Sequence, residues 1–368
     1  MGLHTLISGV TVTGMNSKTG AAYPPGRQDP GRCAMKTRPA PSTLTEDQLV
    51  AFERDGFLAI DNVVPPEDLA PIETEYAELL DRLATDLHAK GEISDSYADL
   101  DFGERYSRVI AEYPILHQFL NISLPLLNEG REPDTYHMHH GPAVFELMRH
   151  PRTLDVVEDI IGPEIFASPV QQMRMKPPAT ALHDEVSGHS NVGATTWHQD
   201  IVALLEDADD TNQVTVWLAI TEATIENGCL TSIAGSHREG PKVHCSNLAI
   251  AREPQVPDKV MAGREGTPLP VGKGGVVLFH KMNVHRALPN LSGGLRWSMD
   301  LRYHPVGQAS GRPAFPGFVA RSKADPQSEL RDPQAWGDAW DAARDDVLSG
   351  RFTGRIFEDR RWNDAAVC

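Results

Sequence analysis

The spacing of apolar residues changes once along the chain, near residue 165. Before that point apolar positions recur every three or four residues, which is typical of amphipathic helices. Thr45 and Gln48 fit the two halves of a helix-capping box, and glycine commonly ends helices. The elements predicted for this part are a helix from Thr45 to Gly56, a strand over Phe57–Ile60, a helix from Pro65 to Gly91 and a helical stretch over 144–161.

Beyond residue 165, short apolar runs rich in β-branched and aromatic residues are separated by turn formers. The predicted strands cover residues 166–175, 195–202, 214–220, 229–233, 275–279 and 296–303. Several short strands with irregular connections indicate a jelly roll or barrel. A final helix is predicted over Pro333–Leu348. The fold class is therefore mainly β, with helical buttresses.

Composition divides the chain into an extension and one domain. Residues 1–42 are rich in Gly, Pro, Ser, Thr and basic residues, which predicts a disordered extension. We expect residues 43–368 to form a single domain, because large β barrels often use such a length for a barrel plus buttresses. Its expected parts are a helical buttress over 43–163, a core over 164–305 and a helical tail over 306–368.

The net charge limits the possible partners. The formal charge of the chain is -17 at pH 7, whereas nucleic acids and anionic membranes require a basic surface. Heavily anionic substrates are disfavoured for the same reason. No apolar run approaches the length of a membrane span, and no secretory signal peptide is expected.

The four cysteines show no CxxC pairing. Cys229 lies in an apolar run and is predicted to be a buried free thiol. Because nothing in the sequence indicates a disulfide framework, we expect a cytoplasmic protein.

Among the fifteen histidines, His198 and His237 each begin a His-x-acid triplet, His198-Gln199-Asp200 and His237-Arg238-Glu239. Alternate residues of a strand share a face, so His198 and Asp200 can reach one metal ion if their segment is extended. The flanking residues 195–197 and 201–202 are strand-like and favour this. His237 follows Gly235-Ser236 and is predicted to lie in a loop.

A third ligand must come from a distant part of the chain. His280 and His285 both follow the apolar run at 275–279, and either is chemically suitable. His285 is favoured, because the turn formers at 289–294 predict a hairpin that returns Arg296 beside it. Two imidazoles and a carboxylate form the facial triad of non-haem Fe(II) oxygenases. The planar fork of Arg296 suits the far carboxylate of 2-oxoglutarate, and a hydroxyl at position 298 shares its strand face.

Five motifs in order resemble the phytanoyl-CoA dioxygenase family of Fe(II)/2-oxoglutarate-dependent oxygenases, over roughly residues 44–305. They are Leu44-Thr45-Glu46-Asp47-Gln48 through Gly56-Phe57, Lys176-Pro177-Pro178, Trp197-His198-Gln199-Asp200, Glu226-Asn227-Gly228-Cys229-Leu230 with Gly235-Ser236-His237, and Phe279–Tyr303.

The resemblance implies a double-stranded β-helix (a cupin-like jelly roll) with iron at its open end and O₂ and 2-oxoglutarate as co-substrates. One departure is Ala287, where relatives often carry a serine; Ser298 is a candidate replacement. The roles that the resemblance implies are metal ligand and catalytic residue for His198, Asp200 and His285, and 2-oxoglutarate contact for Arg296, Trp217, Gln172 and Ser298.

The expected reaction is hydroxylation, desaturation or ring closure at an unactivated C–H bond of a small metabolite of specialised metabolism, with release of succinate and CO₂. The intact Asp200 argues against halogenation. Other polar groups are candidates for the substrate mouth or for ordinary solvated loops and ion pairs. They are the histidines at 137–140, Arg174, Arg286 and the acidic run at 206–210.

Two rival hypotheses remain. One is a non-catalytic cupin-like binding protein, which gives Arg296 no role. The other is a metalloenzyme on the same barrel that does not use 2-oxoglutarate. The sequence leaves the substrate and the oligomeric state open.

Overall fold

Two antiparallel β-sheets lie at the centre of the fold. The computed structural model describes residues 43–125, 136–182, 190–246, 254–358 and 361–368, and the predicted extension at 1–42 lies outside them. The strands are β1 (Phe57–Ile60), β2 (Glu164–Ala167), β3 (Gln172–Lys176), β4 (Val214–Ala219), β5 (Leu230–Ser232), β6 (Thr267–Leu269), β7 (Val276–His280), β8 (His285–Ala287), β9 (Arg296–Pro305) and β10 (Phe318–Ser322).

The larger sheet has seven strands in the order β1-β7-β4-β9-β2-β10, with β3 also paired to β9. The smaller sheet has the order β6-β5-β8. Strand β1 pairs with β7 and strand β10 pairs with β2, although both lie outside the predicted core range. The mainly antiparallel β architecture with helices is thus as predicted, but the large sheet recruits strands from the predicted buttress and tail.

The helices contribute to the apolar core on one face of the large sheet, except for the short helix at 258–261, which packs in a separate cluster with Trp197 and Ile233. They are α1 (Glu46–Asp55), α2 (Ala70–Ala89), α3 (Phe102–Glu112), α4 (Leu116–Leu120), α5 (Pro142–Met148), α6 (Pro151–Ile161), α7 (Asp258–Met261) and α8 (Pro333–Leu348). Helix α1 begins with the predicted capping box, in which the Thr45 side chain accepts from the Gln48 N–H, and ends at Gly56 with φ of 80°. The predicted C-terminal helix is confirmed, and Trp336 and Trp340 are buried in the main core.

Alternation along β9 assigns its two faces. Trp297, Met299, Leu301 and Tyr303 belong to the apolar core shared with the helices. The intervening positions, beginning at Arg296, are also buried and face the other side of the sheet. A second apolar cluster, which includes Trp217, Phe279 and Leu230, joins that side to the small sheet. Polar groups placed between the sheets are therefore shielded from solvent by both.

Three local predictions need correction. The helical stretch at 144–161 is two helices, because Pro151 lacks the N–H that would continue α5. The run at 166–175 is likewise two strands, β2 and β3, separated around Pro169. The segment 195–202 is not a strand: its β pairing is the isolated bridge at His198, and a 3₁₀ helix begins at Asp200.

The predicted hairpin between His285 and Arg296 is wrong. Strand β8 pairs with β5 in the small sheet, whereas β9 pairs with β2, β3 and β4 in the large sheet. The turn formers at 289–294 therefore connect two sheets instead of two neighbouring strands. This connection brings His285 and Arg296 to the same interior from opposite sides.

The cysteines also differ from expectation. Cys245 and Cys368 form a disulfide, so the inference that no disulfide is present is wrong, and it cannot support a reducing compartment. Neither cysteine has a neighbouring partner in sequence, since 123 positions separate them. Cys229 is a buried free thiol, as predicted. Within the described residues, no helix has both the length and the apolar character needed to span a bilayer.

Candidate metal centre and adjoining cavity

His198, Asp200 and His285 lie together between the two sheets. Each offers one possible ligand atom, and these atoms all lie within 4.8 Å of one another. The two imidazole ring centroids are 4.3 Å apart. All three side chains border one cavity. The structure thus brings together the three residues that the sequence singled out.

The backbone achieves this with a single β-bridge. The N–H and C=O groups of His198 and His285 exchange two hydrogen bonds of 3.0 Å, in an isolated antiparallel pairing at the edge of the small sheet. The backbone then turns into the 3₁₀ helix at Asp200. Asp200 therefore reaches the two imidazoles by a change of backbone direction, not by the strand periodicity that the sequence indicated.

Hydrogen bonds of the two imidazoles fix which nitrogen is available. Nδ1 of His198 lies 2.8 Å from the carbonyl oxygen of Thr196, and Nδ1 of His285 lies 3.0 Å from that of Asn283. A carbonyl only accepts, so we assign the proton of each neutral ring to Nδ1. Both Nε2 atoms are then left with lone pairs, the form in which histidine binds metals.

Asp200 is held at both oxygens. Arg302 donates from Nη2 to Oδ1 at 2.7 Å, and the Thr215 hydroxyl donates to Oδ2 at 2.6 Å. Burial raises the pKa of Asp200, but Arg302 and the two imidazoles outweigh it and hold the pKa well below its usual range. Each carboxylate oxygen has a second lone pair, so an ionised Asp200 retains the capacity to bind a cation.

Gln199, between two of the clustered residues, is locked by its neighbours. Its backbone N–H donates to Nε2 of His244 at 3.0 Å, and its amide nitrogen donates to the Met282 carbonyl at 2.6 Å. Its amide oxygen accepts from the Lys242 N–H at 2.7 Å. Burial lowers the pKa of His244 to about 4, which keeps the ring neutral and able to accept. This network restricts the orientation of the triplet.

The cavity extends from the clustered residues to Arg296. Its lining residues are Arg174, Thr195, His198, Asp200, Thr215, Trp217, Leu230, Phe279, His285, Ala287, Arg296 and Asp300. The Arg296 side chain is fully buried, and Nη1 donates to the Ser298 hydroxyl at 2.7 Å. Its guanidinium carbon lies 5.2 Å from the centre of the Trp217 ring.

Two nitrogens of Arg296, Nε and Nη2, have no hydrogen-bond partner among the described residues, and neither has Nε1 of Trp217. Burial lowers the pKa of Arg296 to about 9, although Asp300 acts in the opposite direction. An unpaired cation in a low-dielectric interior is costly, so the arrangement favours an anion in the cavity. Three unpaired donors match the several lone pairs of a carboxylate.

Thr195 is a cavity residue that the sequence analysis did not assign to the site. The backbone N–H of Ala287 donates to its hydroxyl at 2.5 Å. The hydroxyl therefore already accepts one bond and keeps its own proton for donation. This places a hydroxyl beside Ala287, where no side-chain donor is present.

Arg174 and Asp300 form an ion pair inside the cavity. Nε of Arg174 donates to Oδ2 of Asp300 at 2.6 Å, and Nη1 donates to Asn191 at 3.2 Å. From the sequence, Arg174 was a candidate for either a substrate contact or a structural ion pair. Asp300 was not predicted to be a site residue. Arg302 was also missed. Asp300 and Arg302 could have been suspected from strand periodicity, since residues 296, 298, 300 and 302 share one face of β9.

Two predicted co-substrate contacts do not border the cavity. Gln172 bonds through its side chain to Asn121 at 3.0 Å and to Ser123 at 3.1 Å. Ser298 lies behind Arg296, where its hydroxyl accepts from Nη1. It therefore orients the arginine.

His280 and His237 lie apart from the clustered ligands, with their own ring centroids 5.4 Å from each other. The triplet that starts at His237 forms a 3₁₀ turn, and Glu239 pairs with Lys242 and Arg264. Arg286 stacks on Trp197, with its guanidinium carbon 4.4 Å from the ring centroid.

The remaining candidate clusters are engaged elsewhere. His139 pairs with Glu75 at 2.8 Å, and His137 stacks on Phe119. In the acidic run, Glu206 pairs with Arg355 and Asp209 pairs with Arg361, both from the segment after α8. Part of the acidic run is therefore neutralised within the chain.

Comparisons with known proteins show the family of this chain. A family model described as Phytanoyl-CoA dioxygenase (PhyH) matches residues 52–298, more than half of the chain. The match includes His198, Asp200, His285 and Arg296, but it ends before Arg302.

Individual relatives are distant. A 1-deoxypentalenic acid 11-beta-hydroxylase from Streptomyces arenae is 28% identical over 186 residues, which are 48% of this chain and 62% of the relative. The chain thus spans less than two thirds of that relative's length. An ectoine dioxygenase from Bordetella parapertussis is 25% identical over 284 residues, 74% of this chain and 79% of the relative. Among solved structures, the apo form of the non-haem monooxygenase ThoJ aligns with a TM-score of 0.48 and 17% identity, covering 82% of this chain and 99% of that chain.

Proposed function

Because the chain belongs to the phytanoyl-CoA dioxygenase family, we propose that it is an Fe(II)- and 2-oxoglutarate-dependent dioxygenase that oxidises a small metabolite. The observation that carries the proposal is the meeting of two chemistries in one cavity. A cluster of two imidazoles and a carboxylate lies at one part of it, and a buried arginine with unpaired donors lies at another. We further propose that the two sheets form the jelly-roll core expected for such enzymes.

His198, Asp200 and His285 are the proposed metal ligands. Two nitrogens and one carboxylate oxygen are the donor set that non-haem Fe(II) oxygenases use, and they leave further coordination positions for other ligands. The fit is supported by the hydrogen bonds that leave both Nε2 atoms available and by the low pKa of Asp200. Arg302 and Thr215 orient the carboxylate from the large sheet.

Arg296 is the proposed partner of the far carboxylate of 2-oxoglutarate. The two unpaired nitrogens of Arg296 and the unpaired Nε1 of Trp217 supply N–H donors. The Thr195 hydroxyl adds a donor from the small-sheet side. Ser298 fixes the arginine from behind, so we assign it a positioning role. Gln172 stays a weaker candidate, since Asn121 and Ser123 already engage its amide.

The chemistry divides between iron and protein. When bound, Fe(II) with 2-oxoglutarate and O₂ supplies the oxidation of an unactivated C–H bond, and 2-oxoglutarate is released as succinate and CO₂. The protein binds the co-substrate anion at Arg296 and holds Asp200 ionised through Arg302. The apolar walls of the cavity, including Phe279 and Leu230, exclude water from the reacting groups.

The substrate class follows from charge. A CoA thioester carries several phosphate charges that a basic surface must hold, whereas this chain has a net charge of -17. The family name therefore does not decide the substrate, and we propose a small metabolite instead of an acyl-CoA. The named hydroxylase and ectoine dioxygenase relatives support small-molecule oxidation in this family. We expect hydroxylation, desaturation or ring closure.

Succinate release tests the proposal. The purified protein, supplied with Fe(II), ascorbate and 2-oxoglutarate, should release succinate in a substrate-dependent manner with a panel of small metabolites. Parallel incubations with straight-chain and branched acyl-CoAs should show no such stimulation. A protein that binds neither metal nor 2-oxoglutarate would support the cupin-like binding module. Metal binding without 2-oxoglutarate binding would support a metalloenzyme of another kind.

A further inference from the structure

The unpaired polar atoms of the cavity include both hydrogen-bond donors and a hydrogen-bond acceptor. Among the residues that line it, the buried atoms without a hydrogen-bond partner are Nε and Nη2 of Arg296, Nε1 of Trp217 and Oδ1 of Asp300. The first three are donors, and the fourth is an acceptor. A buried polar atom left unpaired is costly, so each of these atoms indicates something that the cavity is built to hold.

2-Oxoglutarate satisfies only the donors. At neutral pH it carries two carboxylates and a ketone, all of which accept hydrogen bonds and none of which donates one. It can therefore pair with Arg296 and Trp217, but it leaves Oδ1 of Asp300 unsatisfied. The acceptor calls for a different molecule in the same cavity.

We propose that Asp300 is a specificity-determining residue, which accepts a hydrogen bond through Oδ1 from a hydroxyl or ammonium group of the organic substrate. This inference rests on the proposed function, because it assigns 2-oxoglutarate to Arg296. The substrate class it names is a small molecule with an O–H or N–H donor close to the carbon that is oxidised.

The surroundings of Asp300 fit this role. Only 5% of the residue is exposed, and it lines the same cavity as the three proposed metal ligands. Its position on β9 is between Arg296, the proposed co-substrate partner, and Arg302, which holds Asp200. A group bound at Oδ1 therefore lies on the strand face that connects the two ends of the site.

Arg174 determines which oxygen of Asp300 is left to accept a further hydrogen bond. Its Nε bonds to Oδ2 at 2.6 Å, which fixes the carboxylate plane and leaves Oδ1 as the free oxygen. The ion pair also offsets the negative charge that Asp300 would otherwise present to a bound 2-oxoglutarate dianion. On the adjacent strand, the Cα register places Trp217 opposite Asp300. Its indole thus offers an apolar wall beside the polar contact.

Methylated probes separate donation from charge and shape. The protein loaded with Zn(II) and 2-oxoglutarate would be titrated by NMR with two pairs, cyclohexanol against cyclohexyl methyl ether and piperidinium against N,N-dimethylpiperidinium. Each second member keeps the ring and the charge but lacks the donor. We expect the donor member of at least one pair to bind roughly ten- to hundredfold more tightly, the usual effect of a hydrogen bond to a charged group. The pair with the larger preference distinguishes a hydroxylated from a cationic substrate.

The variant Asp300→Asn tests whether the preference for the donor-bearing probe arises at Asp300. Its amide oxygen can keep the bond from Arg174, and its amide nitrogen then replaces Oδ1, so an acceptor becomes a donor. The preference should disappear or reverse, while the variant still binds Zn(II) and 2-oxoglutarate. Asp210→Asn, at an exposed position of the acidic run, is the matched control and should keep the wild-type preference.

Two outcomes would overturn the inference. One is a wild-type protein that binds Zn(II) and 2-oxoglutarate but shows no donor preference. The other is a preference that persists in Asp300→Asn, since it would then arise from the size of the methyl group. If the variant does not fold, a crystal structure of the loaded wild type with the preferred probe decides. The probe's donor atom should lie within hydrogen-bond distance of Oδ1, and a water retained there would contradict the proposal. Failure to bind 2-oxoglutarate at all would instead refute the proposed function.

Discussion

The guanidinium of Arg302 and the carboxylate of Asp200 form a buried ion pair, with Nη2 and Oδ1 2.7 Å apart and both side chains at most 5% exposed. Arg302 of strand β9 thereby orients the proposed metal ligand Asp200. The proposed co-substrate partner, Arg296, lies six residues before Arg302 on the same strand. A single strand of the large sheet thus sets the distance between the two halves of the site.

Altering the arginine of this ion pair should weaken metal binding. Arg302→Lys keeps the charge but loses the planar fork, and we expect Co(II) affinity to fall by roughly ten- to hundredfold, as is typical when a group that orients a metal ligand is changed. Thr215→Val, which removes the second bond to Asp200, should have a smaller effect. Isothermal titration calorimetry measures both, with the exposed Arg331→Lys as control. Unchanged affinity in Arg302→Lys would show that Asp200 does not need this support.

The identity of the third ligand can be tested directly. His285→Ala should lose bound iron and turnover, as should His198→Ala and Asp200→Ala, because each removes one of only three protein ligands. His280→Ala and His237→Ala should keep their iron, since both rings lie apart from the cluster. Elemental analysis of purified variants gives the answer. An iron-free His280 variant beside an iron-loaded His285 variant would reverse the assignment.

The co-substrate site predicts a graded loss of affinity. Arg296→Gln removes the charge and most donors, and a hydrogen bond to a charged group is worth about 1.5–3 kcal/mol. The affinity for 2-oxoglutarate should therefore fall by roughly one to two orders of magnitude. Trp217→Phe removes only Nε1 and keeps an aromatic wall, so it should lower the affinity for 2-oxoglutarate by less. Titration of the Co(II)-loaded protein is the measurement, and equal affinity in wild type and Arg296→Gln would exclude this role.

The disulfide between Cys245 and Cys368 should contribute to stability. It closes a long loop, and native disulfides commonly add about 2–4 kcal/mol to the free energy of unfolding. Cys368→Ser should lower the melting temperature, and a reducing agent should lower that of the wild type but not of the variant. Cys229→Ser is the control, because Cys229 is a free thiol. Identical melting temperatures with and without reductant would contradict a stabilising role.

His244 predicts a pH dependence of stability. Burial lowers its pKa to about 4 in the folded state, against an ordinary value of 6.5. Between these two pH values the unfolded chain binds more protons than the folded chain. The contribution of neutral His244 to stability is therefore lost as the pH falls from about 6.5 to about 4. His244→Gln keeps an acceptor for the Gln199 N–H but does not titrate. Urea unfolding between pH 7 and 4 should show a shallower decline for this variant, and an unchanged decline would exclude His244 as a source.

Local features of this protein were determined by the sequence. The capping box at Thr45, the strand at Phe57–Ile60 and the helix at Pro333–Leu348 occur where they were predicted. Such elements depend on hydrogen bonds and apolar spacing within a few residues, which are present in the sequence itself. The triplet at His198 was also visible, because its residue types and spacing are local.

The sheet partners, in contrast, were decided by the tertiary structure. Nothing near Arg302 indicates that it bonds to Asp200, 102 positions away, and nothing near Cys245 indicates Cys368. The turn formers after His285 correctly predicted a connection but not which strands it joins. The same turn residues occur whether the chain returns to pair with the preceding strand or crosses to another sheet. Which strands pair depends on how both faces of each strand become buried, and that is a property of the whole packed core.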